Sequence, residues 1–372
     1  MIQSPDYRAA VFAEPGEVGM RTLTRPDVGE DEVLLEVTAC GVCGSDLALF
    51  AGEKRNASFP LVAGHEIVGR VVEIGEGASA RRGLDVGDRV VLEEAIPCGI
   101  CPVCQDGRHR LCNNGRRFGG TPLMDGGAHL GGYAELVLVP PSSVTHLVPE
   151  ALDDERATWF IPVSNGLSWL RSRAGLRPGE CVVVMGPGQH GLGTALAARE
   201  LGADQVIVCG LPGDRERLAL AQALGASSVV VDDHGRWREE VQDMTDGGAD
   251  VVVDVTPRST LAVRDAVALT AVGGRVVLAG VKRGRQLDGL DIDALVFGER
   301  SLLGVNARES WAVPAALRLL SRGGAGHEVL IGPVFPLEGL KTALELLAGA
   351  DGSPPVHAVI SPCARPGDGM GG

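Results

Sequence analysis

Hydrophobic positions follow two different patterns along the chain. Up to about residue 150, short β-branched runs are separated by glycines and polar turns, as is typical of a β-rich unit. The clearest runs are 32–37, 67–72 and 88–92. They predict a turn-rich, mainly β first unit.

From residue 180 the pattern changes to an alternation of strands and helices. Apolar runs predict strands at 181–185, 205–209, 250–254 and 274–278, with helices at 193–201 and 217–224 between the earlier ones. Continuously apolar strands separated by helices indicate a parallel sheet covered on both faces. The predicted fold class is therefore α/β, a β-rich unit joined to a doubly wound parallel sheet.

The alternation ends near residue 299. Helices are predicted at 312–321 and 337–348, and a strand at 357–360. Because 372 residues exceed what one hydrophobic core usually serves, we predict two domains. The first covers 1–160 and contains a cysteine-rich lobe at 93–118, the second covers 161–298, and 299–372 returns to the first.

Composition excludes several classes of protein. The formal net charge is −14, which argues against nucleic acid as a partner. No apolar run approaches the roughly 20 residues that span a bilayer, and the N-terminus lacks the apolar segment of a secretory signal. We therefore expect a cytoplasmic protein, in which nine cysteines favour metal ligation over disulfides.

Four of these cysteines are closely spaced. Two residues separate each of the first three from the next, and the fourth lies one loop further on: Cys98, Cys101, Cys104 and Cys112. Four thiolates can surround a zinc ion at about 2.3 Å, and such a closed site is structural. Four unrelated buried cysteines and an iron–sulfur cluster are the alternatives.

A glycine-rich turn follows the predicted strand 181–185 and opens a helix. Its sequence is Gly186-Pro187-Gly188-Gln189-His190-Gly191, with Leu192 next. In this context the G-x-G-x-x-G pattern predicts a dinucleotide site, with the pyrophosphate at the helix N-terminus. The alternative is a glycine-rich turn without a ligand.

The end of the second strand of that sheet bears on the choice of cofactor. An acidic residue there would bind the ribose of NAD, but the position is Gly210, and Arg215 lies nearby. This favours NADP(H). Asp214 could still reach a ribose, which leaves NAD(H) open.

A second set of metal-ligating residues lies in the first unit. Cys43-Gly44-Ser45-Asp46 is followed about twenty residues later by Gly64-His65-Glu66. A cysteine and a histidine supply two ligands for zinc. With the four-cysteine lobe and the nucleotide turn in this order, the chain resembles the zinc-dependent alcohol dehydrogenases of the medium-chain dehydrogenase/reductase superfamily, near sorbitol, threonine and glucose dehydrogenases.

The resemblance extends from about Arg8 to Pro362 and carries several implications. It implies a GroES-like catalytic domain, a Rossmann domain and a dimer or tetramer. Cys43 and His65 match the ligands of a catalytic zinc, and the four-cysteine lobe matches a structural zinc. Ser45 matches the residue that removes the alcohol proton, and Asp46 the carboxylate that orients the histidine.

The implied reaction is hydride transfer between a nicotinamide cofactor and a small secondary alcohol or ketone. Glu94 matches the region where relatives line the substrate pocket, which favours a polar or amine-bearing alcohol. Trp159, Asn165 and Trp311 are further candidates. The alternative is that Glu94 is solvated and the tryptophans belong to the core.

Two positions depart from the family pattern. Relatives place a cysteine or glutamate where this chain has Ile161, so the third zinc ligand is missing there. Ala48 replaces a histidine of the proton relay. We expect Glu66 to complete the catalytic site; the alternatives are partial occupancy or loss of that zinc.

Ile161 also leaves two rival functions open. One is a zinc-independent reductase of the same superfamily that acts on an activated C=C or C=O bond. The other is a dinucleotide-binding protein without enzymatic activity. Cys43, Ser45, Asp46, His65 and Glu66 argue against the first. The intact serine of the proton relay, Ser45, argues against the second.

Overall fold

The computed structural model describes residues 6–54, 57–124, 129–232, 235–324, 326–349 and 354–362. Its chain forms two compact units. Unit 1 consists of Met1–Phe160 and Leu330–Gly372, and unit 2 of Ile161–Val329. Each unit has its own sheet structure.

Unit 1 is β-rich up to residue 160. Its strands in this part are β1 (Asp6–Glu14), β2 (Glu17–Thr24), β3 (Val33–Gly41), β4 (Leu61–Val62), β5 (Glu66–Ile74), β6 (Arg89–Leu92), β7 (Ala95–Ile96), β8 (Arg116–Arg117), β9 (Leu136–Val139) and β10 (Thr145–Leu147). Short helices connect them: α1 (Gly44–Phe50), α2 (Glu76–Arg82), α3 (Pro102–Gln105) and α4 (Asp154–Ala157).

Strand β3 is central to unit 1. It pairs antiparallel with β5 on one side and with β9 over its first residues on the other. Seven of its nine residues are buried, which explains why its sequence is almost continuously apolar. The chain reaches the candidate site at the end of this strand.

Unit 2 opens with α5 (Phe160–Ser168), which a π-helical segment, Trp169–Ala174, extends. Its strands are β11 (Cys181–Met185), β12 (Gln205–Gly210), β13 (Ser228–Val231), β14 (Ala249–Asp254), β15 (Thr270–Leu278) and β16 (Ser301–Gly304). Its other helices are α6 (Gln189–Glu200), α7 (Arg215–Ala223), α8 (Trp237–Met244), α9 (Leu261–Leu269), α10 (Ile292–Phe297) and α11 (Ala312–Arg322).

The six strands of unit 2 form a parallel sheet in the order β13-β12-β11-β14-β15-β16. This is the doubly wound order of a dinucleotide-binding sheet. The chain adds strands toward one edge from β11 to β13 and then toward the other edge from β14 onward, so the strand order reverses between β11 and β14. Ligands of such sheets bind outside the carboxyl ends of the strands at this reversal. The glycine-rich turn after β11 lies at that point.

The return to unit 1 begins later than the predicted residue 299. Strand β16 pairs in parallel with β15, and α11 also belongs to unit 2, so the boundary falls between Val329 and Leu330. The sequence pattern missed β16 because its four residues are only partly buried or exposed. The returning segment then supplies β17 (Val334–Phe335), α12 (Leu340–Leu347) and β18 (Val359–Ile360).

Strand β18 pairs antiparallel with the end of β3 and therefore extends the sheet of unit 1 next to the candidate site. Helix α12 contributes Leu340, Ala343 and Leu344 to the same hydrophobic core. Across the described ranges, no helix is both long and apolar enough to span a membrane.

Candidate functional site

The junction of β3 and α1 positions the first group of candidate residues. Cys43 is the N-cap of α1, and its backbone N–H donates to Oδ2 of Asp46 at 3.0 Å. This bond between the N-cap and the third helical residue is half of a capping box and stabilises the first turn. The Cys43 side chain is thereby held at a fixed point after the strand.

His65 and Glu66 reach the same place from the start of β5. Gly64 before them has a φ of +85°, which favours glycine, and turns the chain between β4 and β5. The Cys43 sulfur, a ring nitrogen of His65 and a carboxylate oxygen of Glu66 all lie within 4.8 Å of one another. Two donors on one zinc ion lie at most about 4.6 Å apart. A thiolate, an imidazole and a carboxylate at these separations fit a zinc ion after small adjustments.

Asp46 is buried behind this group. It is 1% exposed, accepts a hydrogen bond from the Tyr133 hydroxyl at 2.9 Å, and has Oδ1 3.7 Å from Nδ1 of His65. Burial alone would raise the pKa of Asp46, but His65 and the Cys43 amide outweigh it and lower the pKa. Burial would likewise lower the pKa of His65, but Asp46 and Cys43 raise it well above its ordinary value. An ionised Asp46 beside His65 has the arrangement that orients a ligating imidazole.

Ser45 lies on the first turn of α1. Its Oγ is buried and has no hydrogen-bond partner among the described residues. A hydroxyl that is not engaged within the protein can bond to a substrate hydroxyl. The two residues that depart from the family pattern have hydrocarbon side chains in apolar or partly apolar surroundings. Ile161 is buried in α5 of unit 2, and Ala48 is half-buried on α1.

The four-cysteine lobe forms a second group. Its Sγ atoms lie 3.5 Å apart for Cys101–Cys104, 3.9 Å for Cys101–Cys112 and 4.0 Å for Cys98–Cys104. Four sulfurs at about 2.3 Å from one zinc ion are separated by about 3.8 Å. These separations exclude disulfides, whose bond is about 2.05 Å, and they are short for a cluster in which each thiolate binds a different iron.

Backbone amides support the thiolate form of two lobe cysteines. The Cys98 N–H donates to the Cys112 sulfur at 3.4 Å and lowers the pKa of Cys112 to about 6. Amides of Ile100 and Cys101 lower the pKa of Cys98. Burial raises the pKa of Cys104 to about 12, so the backbone favours the zinc-binding thiolate form at Cys98 and Cys112 only.

The glycine-rich turn has the geometry of a nucleotide-binding turn. Gly186 has a φ of +104°, and a Cβ at Gly191 would lie 1.9 Å from the Gly186 carbonyl oxygen. A Cβ at Gly193 would come within 2.6 Å of the Pro162 backbone, so α6 packs closely on α5. Only glycines permit this turn, which leaves the first-turn amides of α6 at the carboxyl end of the sheet.

The other residues of the turn are held by neighbouring side chains. Nε2 of His190 lies 2.9 Å from the Asn165 amide, and the His190 ring stacks on Trp169 at 5.8 Å. Gln189 is buried, and Leu192 donates its N–H to the Gly188 carbonyl at 2.9 Å. Pro187 packs against Gly210 at the end of β12.

The loop after β12 carries the residues expected to distinguish the two cofactors. Oδ2 of Asp214 accepts the Leu211 N–H at 3.0 Å, and Oδ1 lies 3.6 Å from Arg217. The Asp214 carboxylate thus caps the turn that leads into α7. Arg215 is the first residue of α7.

The pocket candidates occupy different surroundings. Trp159 is 1% exposed and donates its indole N–H to the Leu330 carbonyl, so it belongs to the core. Glu94 is partly buried and lies 3.9 Å from Arg117. In unit 2, Trp311 donates to Glu309 and stacks under Arg171, and Asn165 is buried beside the nucleotide turn.

Sequence reasoning missed some polar residues. Tyr133, which bonds to Asp46, lies 87 residues away in sequence, and only its place after two glycines sets it apart. Lys282 bonds to Asp254 at 2.6 Å and to the Thr256 carbonyl at 2.6 Å. These hydrogen bonds connect the segment after β15 to the carboxyl end of β14, next to Gly186. No local sequence pattern indicates them.

The chain is similar to known dehydrogenases in both of its units. Residues 29–150 match the family described as alcohol dehydrogenase GroES-like domain, and residues 191–322 match zinc-binding dehydrogenase. A probable alcohol dehydrogenase of Mycobacterium tuberculosis is 38% identical over 95% of this chain and 98% of its own length.

Two further proteins are similar over most of the chain. Sorbitol dehydrogenase of Bacillus subtilis is 30% identical over 91% of this chain and 93% of its own length. A crystal structure described as a zinc-binding dehydrogenase of Sinorhizobium meliloti bound to NADP has a TM-score of 0.82 and 27% identity, over 96% of this chain and 100% of that one.

Proposed function

The chain belongs to the zinc-dependent alcohol dehydrogenases of the medium-chain superfamily, with a GroES-like domain and a Rossmann domain, and from this premise we propose how its residues perform the reaction. It is an NAD(P)-dependent enzyme that transfers hydride between a nicotinamide cofactor and a secondary alcohol or ketone. The observation that carries the proposal is the grouping of Cys43, His65 and Glu66.

Cys43, His65 and Glu66 would hold the catalytic zinc. When bound, zinc acts as a Lewis acid that lowers the pKa of a substrate hydroxyl. Ser45 would accept the substrate's hydroxyl proton on its Oγ while it gives its own hydroxyl proton to a water molecule, so that the serine ends neutral. Asp46 keeps the His65 ring in its ligating orientation. A nicotinamide cofactor, when bound, would supply the acceptor for the hydride that leaves the substrate carbon.

The second zinc is held by Cys98, Cys101, Cys104 and Cys112. Four thiolates leave no open position on the ion, so this site stabilises the lobe and takes no part in the reaction. The sulfur separations support this assignment.

The glycine-rich turn from Gly186 to Leu192 would hold the cofactor, and we propose a preference for NADP(H) over NAD(H). Gly210 offers no carboxylate at the end of β12, and the Asp214 carboxylate is engaged with Leu211 and Arg217. Arg215 would pair with the 2′-phosphate. The NADP bound to the Sinorhizobium meliloti protein supports this preference.

Steady-state kinetics with both cofactors test the preference. Losing a hydrogen bond to a charged group costs about 1.5–3 kcal/mol, so Arg215→Ala should lower kcat/KM for NADPH by about 10- to 100-fold and leave that for NADH nearly unchanged. Arg322→Ala, which breaks an exposed pair with Glu200, is the matched control. A clear NADH preference in the unchanged enzyme would assign Asp214 to the ribose instead.

For the substrate, we propose a polyhydroxylated secondary alcohol. The similarity to a sorbitol dehydrogenase supports this class. Glu94 would favour an amine-bearing alcohol, but it already faces Arg117. Secondary polyols should be oxidised faster than primary alkanols of equal length. Turnover confined to activated C=C bonds would favour the zinc-independent reductase that Ile161 suggests.

We further propose a homodimer or homotetramer in the cytoplasm. Strand β16 is an edge of the sheet of unit 2, and Val296 and Phe297 of the neighbouring α10 are 63% and 83% exposed. An open edge beside exposed apolar side chains favours self-association. Light scattering after size-exclusion chromatography tests this: Phe297→Asp should shift the protein toward monomer, and an unchanged mass would remove this surface from the interface.

A further inference from the structure

Gly41, the last residue of β3, lies directly opposite Glu66 in the antiparallel pair with β5. Opposed residues of such a pair point their side chains to the same face of the sheet. Gly41 has no side chain, and the Glu66 carboxylate uses the space. A Cβ at position 41 would lie 2.2 Å from Oε2 of Glu66 and 3.1 Å from its Cβ.

His357 borders the same space from the returning segment before β18. The Cβ that Gly41 lacks would lie 2.7 Å from Cε1 of His357. The imidazole is held in place, since its Nε2 lies 2.8 Å from the Thr158 hydroxyl and its ring lies 5.1 Å from that of Trp159. Glu66 and His357 therefore close over the bare backbone of Gly41 from two sides.

The backbone conformation does not itself require glycine here. Gly41 is not among the glycines with positive φ, unlike Gly64 across the site. Strand β3 also keeps its regular register at this point, pairing Gly41 with Glu66 on one side and with Val359 on the other. Space for the neighbouring side chains is thus the physical reason for a glycine at position 41.

The carboxylate that fills this space is the one grouped with Cys43 and His65. Glu66 is fully buried, so a displaced carboxylate would have to move within a packed sheet.

We propose that Gly41 is a positioning residue for the metal: its missing side chain lets Glu66 lie against β3 and supply the third protein donor beside Cys43 and His65. This inference rests on the proposed function, because it assumes a metal at these residues. The glycine at the end of β3 is thus needed for metal binding and not for the turn into α1.

Titration with Co²⁺ tests the inference without relying on turnover. Protein stripped of the metal at Cys43, but retaining zinc in the lobe, is titrated while the cobalt–thiolate absorption is recorded. Gly41→Ala should bind Co²⁺ about 10- to 100-fold more weakly, as expected when a group that positions a ligand is changed. Equal affinity and an identical spectrum would overturn the inference.

Gly69→Ala is the matched control. Gly69 lies on the same strand as Glu66, and a Cβ there would be similarly crowded, 2.9 Å from the Glu36 carbonyl oxygen. It does not touch the carboxylate. If Gly69→Ala weakens Co²⁺ binding as much as Gly41→Ala does, the effect is a general destabilisation and the inference fails.

Two further measurements keep the outcome decisive. If Gly41→Ala does not fold, Gly41→Ala/Glu66→Ala/His357→Ala should fold, because the overlaps at 2.2 Å with Glu66 and at 2.7 Å with His357 are both removed; a triple variant that stays unfolded contradicts the inference. Failure of the proposed function is distinguishable, since the unchanged protein would then bind Co²⁺ no better than Cys43→Ser does.

Discussion

The two metal-binding groups of unit 1 differ in how they are built. The lobe takes four ligands of one type from a single short segment, and its sulfurs already lie at the separations of a tetrahedron. The Cys43 group takes three ligands of different types from the junction of β3 with α1 and from the start of β5, and buried residues surround it. The lobe is self-sufficient, whereas the Cys43 group depends on distant parts of the chain. We therefore expect the lobe to bind zinc more tightly and to serve stability, and the Cys43 group to bind zinc more weakly and to serve the reaction.

Replacing a lobe ligand should have the largest effect on stability. Cys101→Ser should remove much of the roughly 10 kcal/mol that a structural zinc contributes to folding, because a tetrahedron of thiolates loses one corner. Thermal unfolding and zinc content measure this, with Cys181→Ser, a cysteine outside both metal groups, as control. A fully stable Cys101→Ser protein that has lost only its turnover would show that the lobe is not structural.

Replacing a ligand of the other group should instead affect activity. Cys43→Ser should lower kcat/KM by at least about 100-fold, more than changes behind a ligand usually cost, and shift the unfolding temperature little. Cys40→Ser makes the same chemical change at a buried cysteine three residues away that is outside the group. Equal losses in the two variants would mean that Cys43 acts through packing.

The support behind His65 should matter less than the ligands themselves. Asp46→Asn removes the charge beside His65 and should weaken the metal about 10- to 100-fold. Asp31→Asn, at an exposed pair with Arg81, is the control. The measurement is the chelator concentration that removes the zinc. If Asp46→Asn and the unchanged protein lose zinc at the same chelator concentration, Asp46 does not have this role.

The smallest effect is expected one contact further out. Tyr133→Phe removes one hydrogen bond to the Asp46 carboxylate, which still accepts the Cys43 N–H, so metal binding should weaken by less than about 10-fold. The loss should appear as weaker metal binding together with lower stability, since both depend on the same carboxylate. No change in either quantity would show that Asp46 is held by the Cys43 amide alone.

The sequence permitted prediction where function depends on local spacing. The lobe cysteines and the glycines of the nucleotide turn act through neighbours a few residues away, so their pattern is visible along the chain. The parallel sheet was predictable for the same reason, because its strands are continuously apolar.

The rest depends on contacts between distant segments. Tyr133 meets Asp46 across 87 residues, and His357 meets Thr158 across 199. The role of Gly41 follows only from the register of β3 and β5, which sequence spacing does not reveal. The later boundary at Leu330 has a similar cause, since β16 joins unit 2 through pairing and not through a strong hydrophobic pattern.

The most direct test of the difference between the two sites is to count zinc per subunit during mild chelation while activity and folding are followed. We expect two zinc ions per subunit at the start, loss of one together with activity, and retention of the other until the protein unfolds. A fully active enzyme with a single zinc ion in the lobe would contradict this account.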